Sequence, residues 1–272
     1  MKIAFIGGGN MASALIAGLA GKLTDGGDIH VVDPNADALA RLGQQYGVTT
    51  APAIDGALAT SDVIVLAVKP QQMREVATAL LPHMGASQPL ILSIAAGIRG
   101  ADLARWLGGY GKIVRTMPNT PALIGLGITG MVAMAGVSAP QKAAADSIMK
   151  AVGQTVWLDD EAQIDPVTAV SGSGPAYVFY FIEAMQQAAV ELGLSEQQGR
   201  QLALATFAGA AQLAVQSSDP VPVLRQKVTS KGGTTYAALT SMEGSGVKEK
   251  IIEAIKAAAA RGRELGEELG RD

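Results

Sequence analysis

Residues 5–12 read FIGGGNMA, a glycine cluster at the point where an apolar run gives way to a helical pattern. Gly7, Gly9 and Ala12 match the spacing G-x-G-x-x-A. The first glycine permits a tight turn, the second lets the backbone approach a pyrophosphate, and Ala12 permits close helix packing. Amides of the first helical turn then point at the phosphates. The stretch predicts a dinucleotide site, and the alternative is a tight turn without a ligand.

Around this cluster, short apolar strands alternate with alanine-rich helices. The predicted strands are residues 2–6, 28–33, 62–68, 89–94, 111–117, 128–135 and 154–158. Helical spacing of apolar residues follows most of them, for example in MASALIAGLAG and ADALARLGQQYG. Such alternation predicts an α/β fold of Rossmann type, with a doubly wound, mostly parallel sheet covered on both faces.

The strand signal ends after Asp160, and we expect an all-α domain at 161–272 behind a dinucleotide-binding domain at 1–160. The predicted helices of that second domain are residues 161–170, 174–192, 195–216, 234–243 and 247–269. Two of these helices contain AYVFYFIEAM and LALATFAGAAQLAV, which are apolar nearly all round. A helix of that kind must be buried on every side, so we expect an obligate dimer.

Composition excludes several classes of protein. The 272 residues are 49% hydrophobic and 17% charged, with a net charge of −3, which gives no electrostatic case for nucleic acid or an anionic membrane. Cysteine is absent, which excludes thiolate metal sites, and we expect no bound metal. No uncharged run reads as a convincing membrane span, and the apolar run at the N-terminus is too short for a signal peptide. We therefore expect a cytoplasmic protein.

The ends of the predicted strands supply the remaining cofactor residues. Asp33 ends the second strand, where its carboxylate would accept from the adenosine ribose; Asn35 beside it has an amide that can donate to a 2′-phosphate. AVKPQ (67–71) and SIAAG (93–97) end two further strands at the same edge. The predicted cofactor residues in these four segments are Ile6, Gly7, Gly8, Gly9, Asn10, Met11, Asp33, Asn35, Ala67, Val68, Lys69, Pro70, Ile94, Ala95 and Ala96.

A second glycine-rich segment, TSKGGTT, occupies residues 229–235. Adjacent glycines let backbone amides converge, and the surrounding hydroxyls add donors, so such a loop suits an anion. The alternative is a capped turn between two helices, although a cap needs one hydroxyl and this loop supplies four.

Six motifs in order along the chain, FIGGGNMA, AVKPQ, SIAAGI, MPNTP, VTAVSGSGPAYVF and VTSKGGTT, resemble the pyrroline-5-carboxylate reductase family. The resemblance implies a Rossmann domain, a helical dimerisation domain and hydride transfer from NAD(P)H to a cyclic imine. It also implies dimers that assemble into larger rings. Two positions depart from the family: Lys231 stands where proline is common, and Ile54 where many members have an asparagine on the adenosine side.

With this resemblance, the second loop is assigned to the substrate carboxylate, facing the nicotinamide end of the crevice in the dimer. The assigned residues are Ser230, Gly232, Gly233, Thr234 and Thr235. We also assign Thr235 as the catalytic donor to the ring nitrogen. Asn119 of MPNTP is placed near the nicotinamide carboxamide, with a proline-fixed turn as the alternative.

SGSGP has two compatible interpretations. Ser171 and Ser173 cap a helix that has Pro175 in its first turn, or Thr168 and the SGSG backbone line the substrate pocket.

The sparse catalytic inventory favours imine reduction. An alcohol dehydrogenase needs a base such as His or Lys, and the two histidines, His30 and His83, are expected to be structural or solvated. A cyclic imine is protonated near neutral pH, so positioning supplies much of its rate. The alternatives are a β-hydroxyacid dehydrogenase, which would use a lysine on a helix where 161–216 has none, and a non-enzymatic NAD(P)-sensing regulator. The family resemblance favours NADPH whereas Asp33 favours NADH, and we expect activity with both.

Overall fold

A computed structural model describes residues 1–84 and 88–271 of the chain. It divides into two compact units. We call the first the sheet unit; it comprises Met1–Ser173 together with the described residues from Ala257 onward. The second, the helical unit, comprises Gly174–Lys256.

The sheet unit contains one sheet of eight strands in the order β3-β2-β1-β4-β5-β6-β7-β8. Strands β1 to β6 are parallel, β7 runs antiparallel to β6, and β8 is parallel to β7, so the predicted mostly parallel sheet is confirmed. The strands are β1 Ile3–Ile6, β2 Ile29–Val32, β3 Thr49–Ala51, β4 Val63–Leu66, β5 Leu90–Ser93, β6 Ile113–Met117, β7 Gly127–Ala133 and β8 Gly153–Trp157.

Both faces of this sheet are covered, which explains why its central strands are apolar throughout rather than alternating. Ile3 and Phe5 of β1 join one buried cluster, and Ala4 and Ile6 join another on the opposite face. The helices of the sheet unit are α1 Asn10–Leu19, α2 Ala36–Tyr46, α3 Met73–Leu80, α4 Gly100–Trp106, α5 Ala139–Lys150 and α6 Ile164–Val167. Residues of α1, α2 and α5 lie in the first cluster and residues of α3 and α4 in the second, so the layers are helix, sheet and helix.

Helices account for the whole of the helical unit's regular structure within the described chain. They are α7 Gly174–Glu191, α8 Glu196–Gln216, α9 Val221–Lys227, α10 Thr234–Gly244 and α11 Val247–Leu269, the last of which ends in the sheet unit. None of the described helices is long and apolar enough to cross a membrane.

Four features of the fold differ from the sequence expectations. Strand β3 and helices α4 and α9 were not predicted, because each is seven residues or shorter and carries too little periodicity. The helix predicted at 161–170 is instead a 3₁₀ turn, the short α6 and a π-turn over Thr168–Gly172.

The compact units also divide the chain at a different place from the predicted domains. Glu161 lies with the sheet unit, because its carboxylate accepts from the Gly100 amide at 2.5 Å and from Arg115 Nη1 at 2.5 Å. A compact unit is defined by contacts and a domain by independent folding. The division into domains 1–160 and 161–272 therefore stays a prediction.

Candidate active site

The first glycine cluster forms the turn between β1 and α1, and its geometry requires glycine. Gly7 has φ +104°, and a Cβ there would lie 2.5 Å from the Ala67 carbonyl oxygen. The Gly7 amide donates to the Val32 carbonyl at 2.8 Å. The turn is thus held against the ends of β2 and β4, and only glycine fits at position 7 because any Cβ would clash there.

Helix α1 begins directly after this turn with an open N-terminus. Its N-cap is Gly9, which is exposed, and no side chain of the described residues caps the helix. The first-turn amides have no partner inside a helix and carry the positive end of its dipole. The turn therefore offers an exposed group of donors to an anion, as the dinucleotide interpretation requires.

The predicted strand ends do meet at one edge of the sheet. The Ala67 amide donates to the Ile6 carbonyl at 2.8 Å, and the Ile94 amide donates to the Leu66 carbonyl at 3.2 Å. Because β1 lies between β2 and β4, the strand order reverses at β1, and this switch point is where doubly wound sheets bind ligands. The structure brings the segments at 6–11, 33–35, 67–70 and 94–96 together around it.

Asp33 and Asn35 organise the end of β2 at this edge. The Asp33 carboxylate accepts from the Gly8 amide at 2.6 Å and from the Asn35 amide at 2.8 Å. Asn35 caps α2 by accepting from the Asp37 and Ala38 amides at 3.0 and 3.1 Å. A carboxylate has about four lone-pair positions, so Asp33 retains capacity for a ribose hydroxyl. Asn35 has used its carbonyl oxygen and keeps its amide donors.

Thr168 and Ser171 lie in the π-turn that precedes α7. The Thr168 hydroxyl donates to the Ile164 carbonyl at 2.8 Å, and the Ser171 hydroxyl donates to the Val167 carbonyl at 3.0 Å. The Ser173 amide reaches back to the Thr168 carbonyl at 2.8 Å, a five-residue step. The chain enters α7 through this turn, so Ser171 does not act as the expected cap. Single π-turns of this type are frequent at functional sites.

Asn119 is buried, with 9% exposure, and both ends of its amide bind the protein. Its Nδ2 donates to the Ser171 carbonyl at 3.2 Å, and its Oδ1 accepts from the Ile128 amide at 2.9 Å. Sequence reasoning did not anticipate this connection between MPNTP and SGSGP, because it depends on a carbonyl direction. The proline at position 175 is the one signal that pointed to an unpaired carbonyl nearby.

The second glycine loop lies in the helical unit, where it leads into α10. Gly232 has φ +73°, and the Gly233 amide donates to the Ser230 carbonyl at 3.0 Å. Gly233 is the N-cap of α10, and no side chain of the described residues caps that helix. The loop therefore does not use a hydroxyl as the capped-turn alternative requires. Ser230, Lys231, Thr234 and Thr235 are all exposed.

His30 has the partners expected of a structural residue. His30 is held between strands, with Nδ1 2.9 Å from Thr49 Oγ1 and Nε2 3.3 Å from Asp55 Oδ1, as a structural role would require. Within the described chain, no group of three or more acidic or histidine residues lies close enough to hold a metal.

A mostly parallel sheet with a glycine turn and an open helix N-terminus at its switch point defines the class of dinucleotide-binding proteins. Two family profiles match the chain: pyrroline-5-carboxylate reductase dimerisation over residues 161–265, and coenzyme F420-dependent NADP oxidoreductase over residues 2–97. A pyrroline-5-carboxylate reductase of Pseudomonas aeruginosa is 47% identical over 99% of this chain and 98% of its own.

Solved structures give the same result. A pyrroline-5-carboxylate reductase from Coxiella burnetii has a TM-score of 0.91 and 40% identity, covering 97% of this chain and 98% of its own. A Plasmodium falciparum pyrroline carboxylate reductase with NADP bound has a TM-score of 0.87 and 30% identity, covering 98% of both chains. The chain belongs to the pyrroline-5-carboxylate reductase family, which confirms the resemblance read from its motifs.

Proposed function

We propose that the protein reduces 1-pyrroline-5-carboxylate to L-proline, the last step of proline biosynthesis, with NAD(P)H as the hydride donor. The observation that carries the proposal is a second uncapped glycine loop, at 229–235, in a chain whose first uncapped glycine cluster, at 5–12, suits a pyrophosphate. The names of the relatives above agree with this reaction. The alternatives, a hydroxyacid dehydrogenase and a non-enzymatic regulator, have no such support.

The residues at the sheet edge fit the cofactor. A turn that only glycine can form, beside exposed first-turn amides, accommodates a pyrophosphate against the backbone. When bound, the cofactor supplies the hydride that adds to C5 of the ring, while the C=N electron pair becomes the lone pair of the product amine. The residues that hold it are those of the four segments named above, with Asp33 toward the ribose.

The protein's own contribution is to hold the substrate. The Gly232, Gly233 and Thr234 amides and the Ser230 hydroxyl bind the carboxylate, and the Thr235 hydroxyl donates to the ring nitrogen. Thr168 also contacts the substrate. The Thr235 hydroxyl donates to the nitrogen of the neutral imine. Once that nitrogen takes a proton from solvent, its N–H donates to the Thr235 oxygen, the iminium is electrophilic, no histidine base is needed, and orientation supplies the rate.

The first experiment measures NADPH oxidation in the presence of pyrroline-5-carboxylate and, separately, NADP⁺ reduction in the presence of a panel of β-hydroxyacids. We expect turnover with the imine only. Turnover of a hydroxyacid with no turnover of the imine would replace the proposal with the dehydrogenase alternative.

The second experiment tests the substrate loop. Thr235→Ala is expected to cost about 1.5–3 kcal/mol in kcat/KM for the imine, the range for a hydrogen bond to a charged group. Lys231→Pro is the matched control, because Lys231 is exposed and proline is common there in the family. It should change kcat/KM little. Wild-type kinetics in both Thr235→Ala and Gly233→Val would show that the loop is not the carboxylate site.

We further propose NADPH as the preferred cofactor, with NADH also accepted. Its support is the NADP named for the Plasmodium falciparum structure. Asp33 opposes a 2′-phosphate, so Asp33→Ser should shift the ratio of kcat/KM values toward NADPH. An unchanged ratio would mean that Asp33 does not lie at the ribose.

We also propose a cytoplasmic location and an assembly of dimers into larger rings. Sedimentation of the purified protein tests whether the rings form.

A further inference from the structure

Asn119 connects two motifs that the proposed mechanism treats separately. It stands in MPNTP, 52 residues before Ser171, yet its Nδ2 donates to the Ser171 carbonyl at 3.2 Å. Its Oδ1 is occupied as well, by the Ile128 amide at 2.9 Å at the start of β7. With 9% exposure, the side chain is committed to these two backbone partners rather than to solvent.

The Ser171 carbonyl accepts from Asn119 at a point where Pro175, four residues further on, has no amide hydrogen to offer an α-helical bond. Ser171 is half-buried, and loss of a hydrogen bond to a carbonyl that is shielded from water costs free energy. Asn119 supplies the missing donor. The π-turn, the proline and the asparagine therefore form one arrangement.

Packing around the π-turn is equally restrictive. A Cβ on Gly172 would lie 2.5 Å from Met117 Cε, and a Cβ on Gly130 would lie 2.6 Å from Val167 Cγ1. Met117 at the end of β6 therefore packs against Gly172 of the turn, and Gly130 of β7 packs against Val167, the residue that precedes the turn.

We propose that Asn119 is a positioning residue, which fixes the π-turn and through it Thr168, and that it is not a contact of the nicotinamide. The inference rests on the proposed function, in which Thr168 belongs to the substrate pocket. The sequence analysis placed Asn119 beside the nicotinamide carboxamide. In the present proposal Asn119 instead acts on the substrate through the π-turn and Thr168.

The test separates substrate binding from cofactor binding. Asn119→Asp keeps the acceptor for the Ile128 amide but removes the donor to Ser171. We expect KM for pyrroline-5-carboxylate to rise at least tenfold, while the NADPH Kd from fluorescence titration stays within twofold of wild type. A tenfold rise in the NADPH Kd with an unchanged imine KM would overturn the proposal, and so would no change in either.

A second variant keeps the test valid if Asn119→Asp does not fold. Pro175→Ala restores an amide at position 175, so the Ser171 carbonyl gains a helical partner and no longer needs Asn119. We expect Pro175→Ala alone to keep the imine KM close to wild type, and the double variant Asn119→Asp/Pro175→Ala to show a smaller rise in imine KM than Asn119→Asp, or to fold where Asn119→Asp does not. A double variant as impaired as Asn119→Asp would contradict the arrangement. Turnover of the imine by the wild-type protein is measured first. If the wild type does not reduce the imine, the proposed function fails; if it does, the variants test the role of Asn119 alone.

Discussion

The two units of this protein treat their apolar residues in opposite ways. In the sheet unit, strands β1, β4 and β5 are buried at every position, and Phe5 and Ile64 are 0% exposed. In the helical unit, Phe179 is 65% exposed, Tyr180 72% and Leu192 85%. Phe179 and Tyr180 lie on α7, and Leu202 and Leu213 of α8 are 55% and 57% exposed. The sheet unit buries its central strands against helices of the same unit, whereas the helical unit leaves large apolar side chains exposed.

The difference indicates where the second copy of the chain is needed. Large apolar side chains exposed in this number on two neighbouring helices are typical of a protein interface. The family profile over residues 161–265 is that of a dimerisation domain, so self-association supplies the cover. The sheet unit also exposes some large apolar side chains, with Ile124 and Leu126 at 74% and 73%, but its central strands are covered by helices of the same unit. We infer that its stability depends on its own buried contacts, whereas the stability of the helical unit depends on protein concentration.

The largest expected effect on the sheet unit comes from its buried ion pair. Arg115 has a side chain 6% exposed and binds Glu161, whose carboxylate also accepts from the Gly100 amide. Arg115→Ala should lower the free energy of unfolding by about 2 kcal/mol, less than for a fully buried pair, because Glu161 remains 37% exposed. Urea unfolding at two protein concentrations measures it, and the loss should be the same at both.

Arg99 provides the matched control for that measurement. Its ion pair with Glu267 joins side chains that are 43% and 55% exposed. Arg99→Ala should therefore change the free energy of unfolding by less than about 1 kcal/mol, as exposed pairs do. Equal losses of unfolding free energy in Arg115→Ala and Arg99→Ala would mean that burial of Arg115 does not strengthen its ion pair.

A smaller effect sharpens the comparison, because each unit has a helix with the same cap. Ser138 caps α5 in a capping box with Gln141, and Ser195 caps α8 in one with Gln198. Each Ser→Ala change should cost about 1 kcal/mol. Hydrogen exchange should place the loss from Ser138→Ala in the sheet unit and that from Ser195→Ala in α8. A loss spread evenly over both units in either variant would show that they unfold as one body.

Much of this organisation was readable from the sequence. The glycine turn at Gly7, the buried strands and the all-round apolar helices follow from residue type and spacing. What could not be read depends on three-dimensional detail. Strand β3 is three residues with two of them exposed, so it has no pattern to detect. The amide of Asn119 reaches a carbonyl 52 residues away, and only the folded chain shows the direction of that carbonyl.

The most direct test of the central claim is hydrogen exchange measured at two protein concentrations a hundredfold apart. If a second copy completes the helical unit, the dissociated fraction grows as the square root of dilution. Amides of α7 and α8 should then lose about tenfold in protection at the lower concentration, while those of β1, β4 and β5 keep theirs. Equal protection of α7 and α8 at both concentrations would contradict the claim that their exposed apolar surface requires a second copy.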